Sequence, residues 1–348
     1  NDRPVRNEDI YDLASVTKIA ASVPCLMRLY EADSIDLDAK MVKYLPYLDS
    51  TNKQDITVKE VLTHQAGLTP WIPFWIKTVK DTALYRKLYS TGYDNAHTWK
   101  VAENLYIDST YSDSILRRIV EYEQLKKKEY KYSDIGYYLF QDIIERMTGE
   151  RLDRYAGQNF YMPLGAYTLG YLPLLKFQKD RIVPTENDVR FRNQLIHGWV
   201  HDPGAAMMGG VAGHAGVFSN ANDLAKLMQM YLNGGEYGGV RYFKKSTLEV
   251  FTSCPYCKKG NRRGVGFDKP EMDYNKAGPT CKCISGKSFG HTGFTGTMAW
   301  ADPEEQVVFI FLSNRIHPDE ENKKLIKSDV RSNIMEALYK AIAEGKEE

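Results

Sequence analysis

Asp12-Leu13-Ala14-Ser15-Val16-Thr17-Lys18-Ile19-Ala20-Ala21-Ser22 is the stretch on which the reading of this chain turns. A serine placed where an extended segment passes into a helix has its hydroxyl at the positive end of the helix dipole. A lysine three residues on returns to the same face one turn later. That pairing can activate a nucleophile. The spacing alone is weak evidence, because Ser50-Thr51-Asn52-Lys53 repeats it. After Lys18, however, Ile19, Val23, Leu26, Met27 and Tyr30 recur at helical spacing, which predicts a buried helix from about Ser15 to Glu31 with a kink at Pro24. No such pattern follows Ser50. Taken by itself, Ser15 reads better as a helix cap than as a nucleophile.

The composition sets bounds. The 348 residues are 43% hydrophobic and 26% charged, with a formal net charge of +1, as in an ordinary soluble globular protein with room for one large domain or two. Near-neutral charge and the lack of a basic stripe argue against a nucleic-acid partner, and Lys126-Lys127-Lys128 reads as a solvated face. No apolar run approaches the roughly 20 residues needed to span a bilayer. The chain opens on a polar segment and reaches Ser15 at once, so it reads as a piece of something longer.

Asp9 to Leu13 reads as the end of a strand. A short helix over 57–64 has Thr57 as its cap and Glu60 in the capping-box position, and Gly67 ends it. The aromatic run Trp71-Ile72-Pro73-Phe74-Trp75, with Tyr85, Tyr89, Tyr93 and Trp99, reads as packing rather than as a ligand wall. A helical pattern covers about 112–124. Tyr132-Ser133-Asp134 opens another helix that runs to Met147 and closes at Gly149. The glycine-rich run 203–216 reads as a close-packed loop, and Asn222-Asp223-Leu224-Ala225 starts an amphipathic helix. The last third changes character. Residues 288–300 and 306–313 are β-rich runs joined at Asp302-Pro303-Glu304-Glu305, and Leu325, Ile326, Val330, Ile334, Leu338 and Ile342 mark a closing helix. The expected fold is mixed α+β: one antiparallel sheet built from both chain ends and flanked by helices, with a mainly helical subdomain inserted and an active site in the seam. The expected division is a sheet subdomain of about 1–35 and 236–348 and a helical subdomain of about 36–235.

Ser15-Val16-Thr17-Lys18, Tyr132-Ser133-Asp134 and His291-Thr292-Gly293 resemble, in order, the three motifs of the penicillin-recognising serine hydrolases: class C β-lactamases, low-molecular-weight penicillin-binding proteins, D-aminopeptidases and related esterases. Supporting phrases are Leu62 through Leu68, Gly216 through Leu224 and Gly290 through Gly296, so the resemblance spans nearly the whole chain. It implies the β-lactamase/transpeptidase fold as a single domain over 1–348, with further N-terminal strands and other domains expected in a longer chain.

The resemblance also implies roles. Ser15 would attack a carbonyl to form an acyl-enzyme, while Lys18 and the Tyr132 phenol share the proton transfers. A free lysine titrates near ~10.4, so a neutral amine at pH 7 costs on the order of 4–5 kcal/mol, and lysine and phenol are better regarded as a coupled pair. The oxyanion hole would be the N–H groups of Ser15 and Phe294, and Asp134, His291, Thr292, Gly293 and Phe294 would bind substrate. No catalytic cofactor is implied. Two departures stand out: Asp134 where many relatives have asparagine, and His291 where many have lysine. A largely neutral histidine removes the cation that usually holds a substrate carboxylate and leaves the expected site near neutral. Phe294 replaces the hydroxyl often found beside that motif. The expected activity is acyl hydrolysis of D-amino-acid peptides, as in DD-peptidases, or of esters, with weak β-lactam recognition. The alternative is a catalytically weak penicillin-binding module that senses cell-wall fragments as part of a larger enzyme.

Cys25 is expected to be buried. Cys254, Cys257, Cys281 and Cys283 form two close pairs that fit either a structural zinc site or cross-linking disulfides, the latter natural in an extracytoplasmic protein, where this family generally works. His197 and His201 read as ordinary packing or surface residues.

Overall fold

The computed structural model describes residues 3–80, 83–84, 87–122 and 124–347. The largest sheet follows from alternation in Met298–Asp302, where Met298 and Trp300 belong to one buried cluster and Ala299 and Ala301 to another. Phe289–Thr292 pairs antiparallel on one side of this strand, with His291 opposite Ala299. Val307–Phe311 pairs on the other, with Ile310 opposite Ala299. Each face takes a helix. Val330–Glu347 brings Met335 and Tyr339 against Met298, Trp300 and Phe309, and the Tyr339 hydroxyl donates to Asp302 Oδ2 at 2.7 Å. Ala221–Leu232, capped by the Asn220 side chain on Asp223 N–H, packs on the other face. The expected hairpin and closing helix are therefore present.

The start of the chain goes elsewhere. Tyr11–Asp12 pairs with Val217–Ser219, which in turn pairs with Gly170–Tyr171, forming a separate small antiparallel sheet. Among the described residues, the three-stranded sheet takes no strand from the chain start, which corrects that part of the expected topology while leaving the mixed class with antiparallel sheets intact. The physical reason is the turn at Ala14, which ends the extended segment after two paired residues.

The segment after it is helical in three registers: a 3-10 turn over Ala14–Val16, a π turn over Lys18–Ser22 and an α-helix over Val23–Glu31. Pro24 lies in the first turn of the α-helical part, where a missing N–H costs little, so it marks a junction rather than the expected mid-helix kink. Thr57 and Glu60 form the expected capping box on Val58–Leu62. Ile135–Thr148 ends on Gly149 at φ 70°. The helical pattern expected at 112–124 is Tyr111–Arg117 followed by a π turn over Arg118–Tyr122. Trp75 stacks on Phe191 and Tyr89 meets the same ring edge-on, so much of the aromatic run is packing; Tyr85 lies outside the described residues.

Cys25 is buried. The other four cysteines pair locally, Cys254 with Cys257 and Cys281 with Cys283, at Cα separations of 5.5 and 5.4 Å that suit a disulfide. With each sulfur bonded to its neighbour, none is a thiolate ligand, so the zinc alternative does not hold. The disulfides close short loops and do not tie the two segments together. Among the described residues no helix is long and apolar enough to cross a membrane.

Candidate active site

Ser15 is aimed by the turn before it. Ala14 is held at φ 47°, a costly conformation for a residue with a Cβ, and Asp12 Oδ1 secures it by accepting the Ala14 N–H at 2.8 Å. The sheet is stapled to this turn by two buried hydroxyls, Thr295 Oγ1 donating to Asp12 O at 2.8 Å and Thr297 Oγ1 to Leu13 O at 2.9 Å. Gly293 permits the contact, since a Cβ there would meet Leu13 O at 2.5 Å and crowd Thr297 Oγ1. As a result Ser15 and Phe294 come from two elements locked together, and neither backbone N–H donates to another described residue. Such a pair of open donors suits a developing oxyanion.

Lys18, with its side chain fully buried, places Nζ 3.0 Å from Ser15 Oγ, 2.6 Å from Asp134 Oδ1 and 3.4 Å from His214 O. The Tyr132 hydroxyl is also 3.0 Å from Ser15 Oγ. The phrase Leu62–Leu68 explains how the second motif reaches this point. His64 O accepts the Lys131 N–H at 2.9 Å, His64 Nδ1 accepts the Ser133 N–H at 3.2 Å, and the His64 ring lies 4.5 Å from that of Tyr132. Burial, then the nearby Arg263 and Lys18 charges, push His64 well below the usual imidazole range, so it acts as a neutral brace. Burial and then the Asp134 carboxylate push the Tyr132 phenol well above its ordinary value.

The third motif is not where the positive charge lies. Burial first, and Arg263 second, hold His291 well below the usual imidazole range. Its Nδ1 is 2.7 Å from Thr292 O and its Nε2 is 3.3 Å from Arg263 Nη1, which assigns the proton to Nδ1 and the lone pair to Nε2. Arg263 is only 6% exposed, lies 5.0 Å from the Tyr132 ring centroid and donates from Nε to the Tyr130 hydroxyl at 3.2 Å. Although burial opposes its charge, Asp268 and Tyr130 keep it on the guanidinium. Asp268 also pairs with Arg262, so one carboxylate serves two guanidiniums and a positive charge is left over beside Tyr132. This corrects the expected near-neutral site. Arg263 Nη2 donates to no other described residue.

Phe294 is 48% exposed at the rim, between the stacked His201 ring at 5.3 Å and the Arg315 guanidinium at 4.7 Å. Thr292 and Gly293 end the strand that leads to it. His201 is buried, contrary to a surface assignment, and its Nε2 lies 3.1 Å from Glu186 Oε2. Glu186, His201 and Glu320 have the donor types of a cation site, but Arg192 sits 3.7 Å from Glu186 and Arg190 sits 2.6 Å from Glu320, so the arrangement is an ion-pair network.

The structure thus brings together Ser15, Lys18, Tyr132, Asp134, His291 and the Phe294 backbone. Sequence reasoning missed Arg263, Thr295, Thr297 and the turn-holding Asp12. The two threonines lie within a phrase already singled out, whereas Arg263 carries no motif.

The Beta-lactamase family model matches residues 1–331. A protein of Escherichia coli (strain K12) described as "Putative D-alanyl-D-alanine carboxypeptidase" is 34% identical over 328 residues, 88% of this chain and 69% of that protein. One from Salmonella typhi with the same description is 32% identical over 356 residues, 96% of this chain and 76% of that protein. Among solved structures, the D-amino acid amidase from Ochrobactrum anthropi SV3 superposes with a TM-score of 0.65 at 17% identity, over 97% of this chain and 89% of that one. A penicillin-binding protein homolog from Caulobacter crescentus superposes with a TM-score of 0.62 at 17% identity, over 90% and 80%. The two structural likenesses speak to the fold alone.

Proposed function

The chain belongs to the beta-lactamase family and is a serine hydrolase, and from that premise we propose that it cleaves peptides ending in a D-amino acid through an acyl-enzyme on Ser15, with weak recognition of β-lactams. The observation that carries this reading is the convergence of Lys18 Nζ and the Tyr132 hydroxyl on Ser15 Oγ, each at 3.0 Å. Ser15 attacks the scissile carbonyl, and the oxygen charge that develops faces the N–H groups of Ser15 and Phe294. Donors so placed each contribute on the order of 3 kcal/mol to the transition state. Tyr132, a neutral phenol, is suited to protonate the departing amine, and water then releases the acyl group.

Arg263 supports a free carboxylate at the end of the substrate. It carries the surplus charge of the Arg262–Asp268–Arg263 group and lies beside His291, at the position where that histidine provides no cation. The carboxypeptidase description of the relatives points the same way. An extracytoplasmic location is proposed with it, supported by the two disulfides.

Intact-mass measurement after incubation with a β-lactam and, separately, with a D-alanyl ester tests the reading. Adducts on the unsubstituted chain that vanish in Ser15→Ala, with steady release of product from the ester, are the expected result. A chain left unmodified by both reagents sinks the proposal, and an adduct that never turns over makes the protein a receptor.

A further inference from the structure

Ser15 must lose a proton as it attacks, and the groups around it are unequal acceptors. Tyr132 is held as the phenol by burial and by Asp134. His64 and His291 engage ring nitrogens with Ser133 N–H, Thr292 O and Arg263. Lys18 remains, in contact with Ser15 Oγ on one side and Asp134 Oδ1 on the other. An ammonium and a carboxylate shut away from water relieve their desolvation by passing one proton across the contact, and a separation of 2.6 Å is a short path for it. Asparagine at this position would offer Lys18 an oxygen but could not take the proton.

We propose that Asp134 is the terminal proton acceptor of a Ser15–Lys18–Asp134 relay, an inference that rests on the hydrolase reading above and deepens it. An Nζ–H bond of Lys18 breaks and an O–H bond forms on Asp134, leaving an amine and a carboxylic acid. The amine lone pair takes the Ser15 proton as the Oγ–carbon bond forms, and the carbonyl electron pair moves onto the oxygen facing Ser15 N–H and Phe294 N–H. When the tetrahedral adduct collapses, the departing nitrogen takes the Tyr132 proton. Lys18 returns a proton to Tyr132, and Asp134 returns one to Lys18. One proton has passed from Ser15 to the leaving group, and nothing is oxidised or reduced. The other ionisable groups facing the pair are Tyr137 and Tyr138, both pushed up by burial, the neutral His64 and His291, and Arg263 across the Tyr132 ring.

The test follows acylation of Ser15 by a fluorescent penicillin from about pH 6 to about pH 10 on the full chain and on Asp134→Asn, Asp134→Glu and Asp134→Ala. The Asn variant is expected to lose ~100-fold or more at neutral pH, the scale of one general acid–base step, and to recover as rising pH removes the amine proton directly. The Glu variant should stay within ~10-fold of the parent at every pH, and the Ala variant should be accelerated by added formate but not by chloride. The formate arm does not depend on the Asn variant folding. An Asn variant as fast as the parent at neutral pH, or a deficit of equal size at every pH without formate rescue, overturns the relay. Failure of the parent itself to label would instead sink the hydrolase reading.

Discussion

At the scale of single residues, the charge that matters most for specificity is on Arg263. His291 has its lone pair toward Arg263 and its proton on Thr292 O, so it presents no cation to a substrate. Arg263 does, because Asp268 is shared with Arg262. A hydrogen bond to a charged partner is worth ~1.5–3 kcal/mol, or roughly 10- to 150-fold. Replacing Arg263 by alanine should therefore raise KM for a D-alanyl peptide with a free carboxylate by about that factor and leave an ester of the same acyl group, which lacks the carboxylate, nearly unchanged. Arg263→Lys keeps the charge without the planar fork and should recover part of the loss. Steady-state kinetics on the substrate pair measures this directly, and equal losses on both substrates would deny Arg263 the role.

At the scale of elements, the site depends on how closely the turn 293–296 approaches the Leu13–Ala14 turn. Gly293 does not need its glycine for an unusual φ; it needs the space, with Leu13 O and Thr297 Oγ1 lying where a Cβ would go. Gly293→Ala should therefore push Phe294 N–H away from Ser15. Overpacking costs ~1–3 kcal/mol of stability, and a misplacement near 1 Å costs ~100-fold in rate. Acylation falling by that much while the variant keeps a cooperative melt is the expected outcome, read by penicillin labelling beside thermal denaturation. Periodicity and punctuation made several elements legible in the sequence: the capped helix at Val58–Leu62, the helix ending at Gly149, the hairpin around Asp302. They failed where an element is too short to carry a period. Tyr11–Asp12 is a two-residue strand, and nothing in two residues says which partner they take. Ser15, Lys18, Tyr132 and Asp134 were legible because motifs name them. Arg263 was not, since what makes it part of the site is proximity to Tyr130 and His291, 133 and 28 positions away in the chain. The cysteines were legible as pairs, but sequence spacing does not fix their connectivity.

At the scale of the whole molecule, the buried imidazoles of the site bind its function to its stability. His64 and His291 are both held well below the ordinary imidazole value of ~6.5, burial being the leading cause for each. An unfolded chain protonates both near that value while the folded chain keeps them neutral. Between the folded values and ~6.5 the unfolded state thus binds more protons, and stability rises with pH and falls as pH drops. Each such histidine removes up to ~1.4 kcal/mol per pH unit across that interval, about 2.7 kcal/mol per unit for the two together. His201 works against them. Burial opposes its charge, but Glu186 outweighs burial and raises its titration, so its contribution is complete at low pH and disappears as pH climbs past the folded value. Two against one, the net slope should be positive from about pH 6.5 downward, above the range in which carboxylates begin to protonate. Thermal melts at half-unit steps on the acid side of neutrality should show the midpoint already falling near about pH 6, and His64→Gln should flatten that slope by roughly half. A midpoint that stays level until the carboxylate range would mean that the two imidazoles are protonated in the folded chain, and with them would go the neutral brace behind Tyr132.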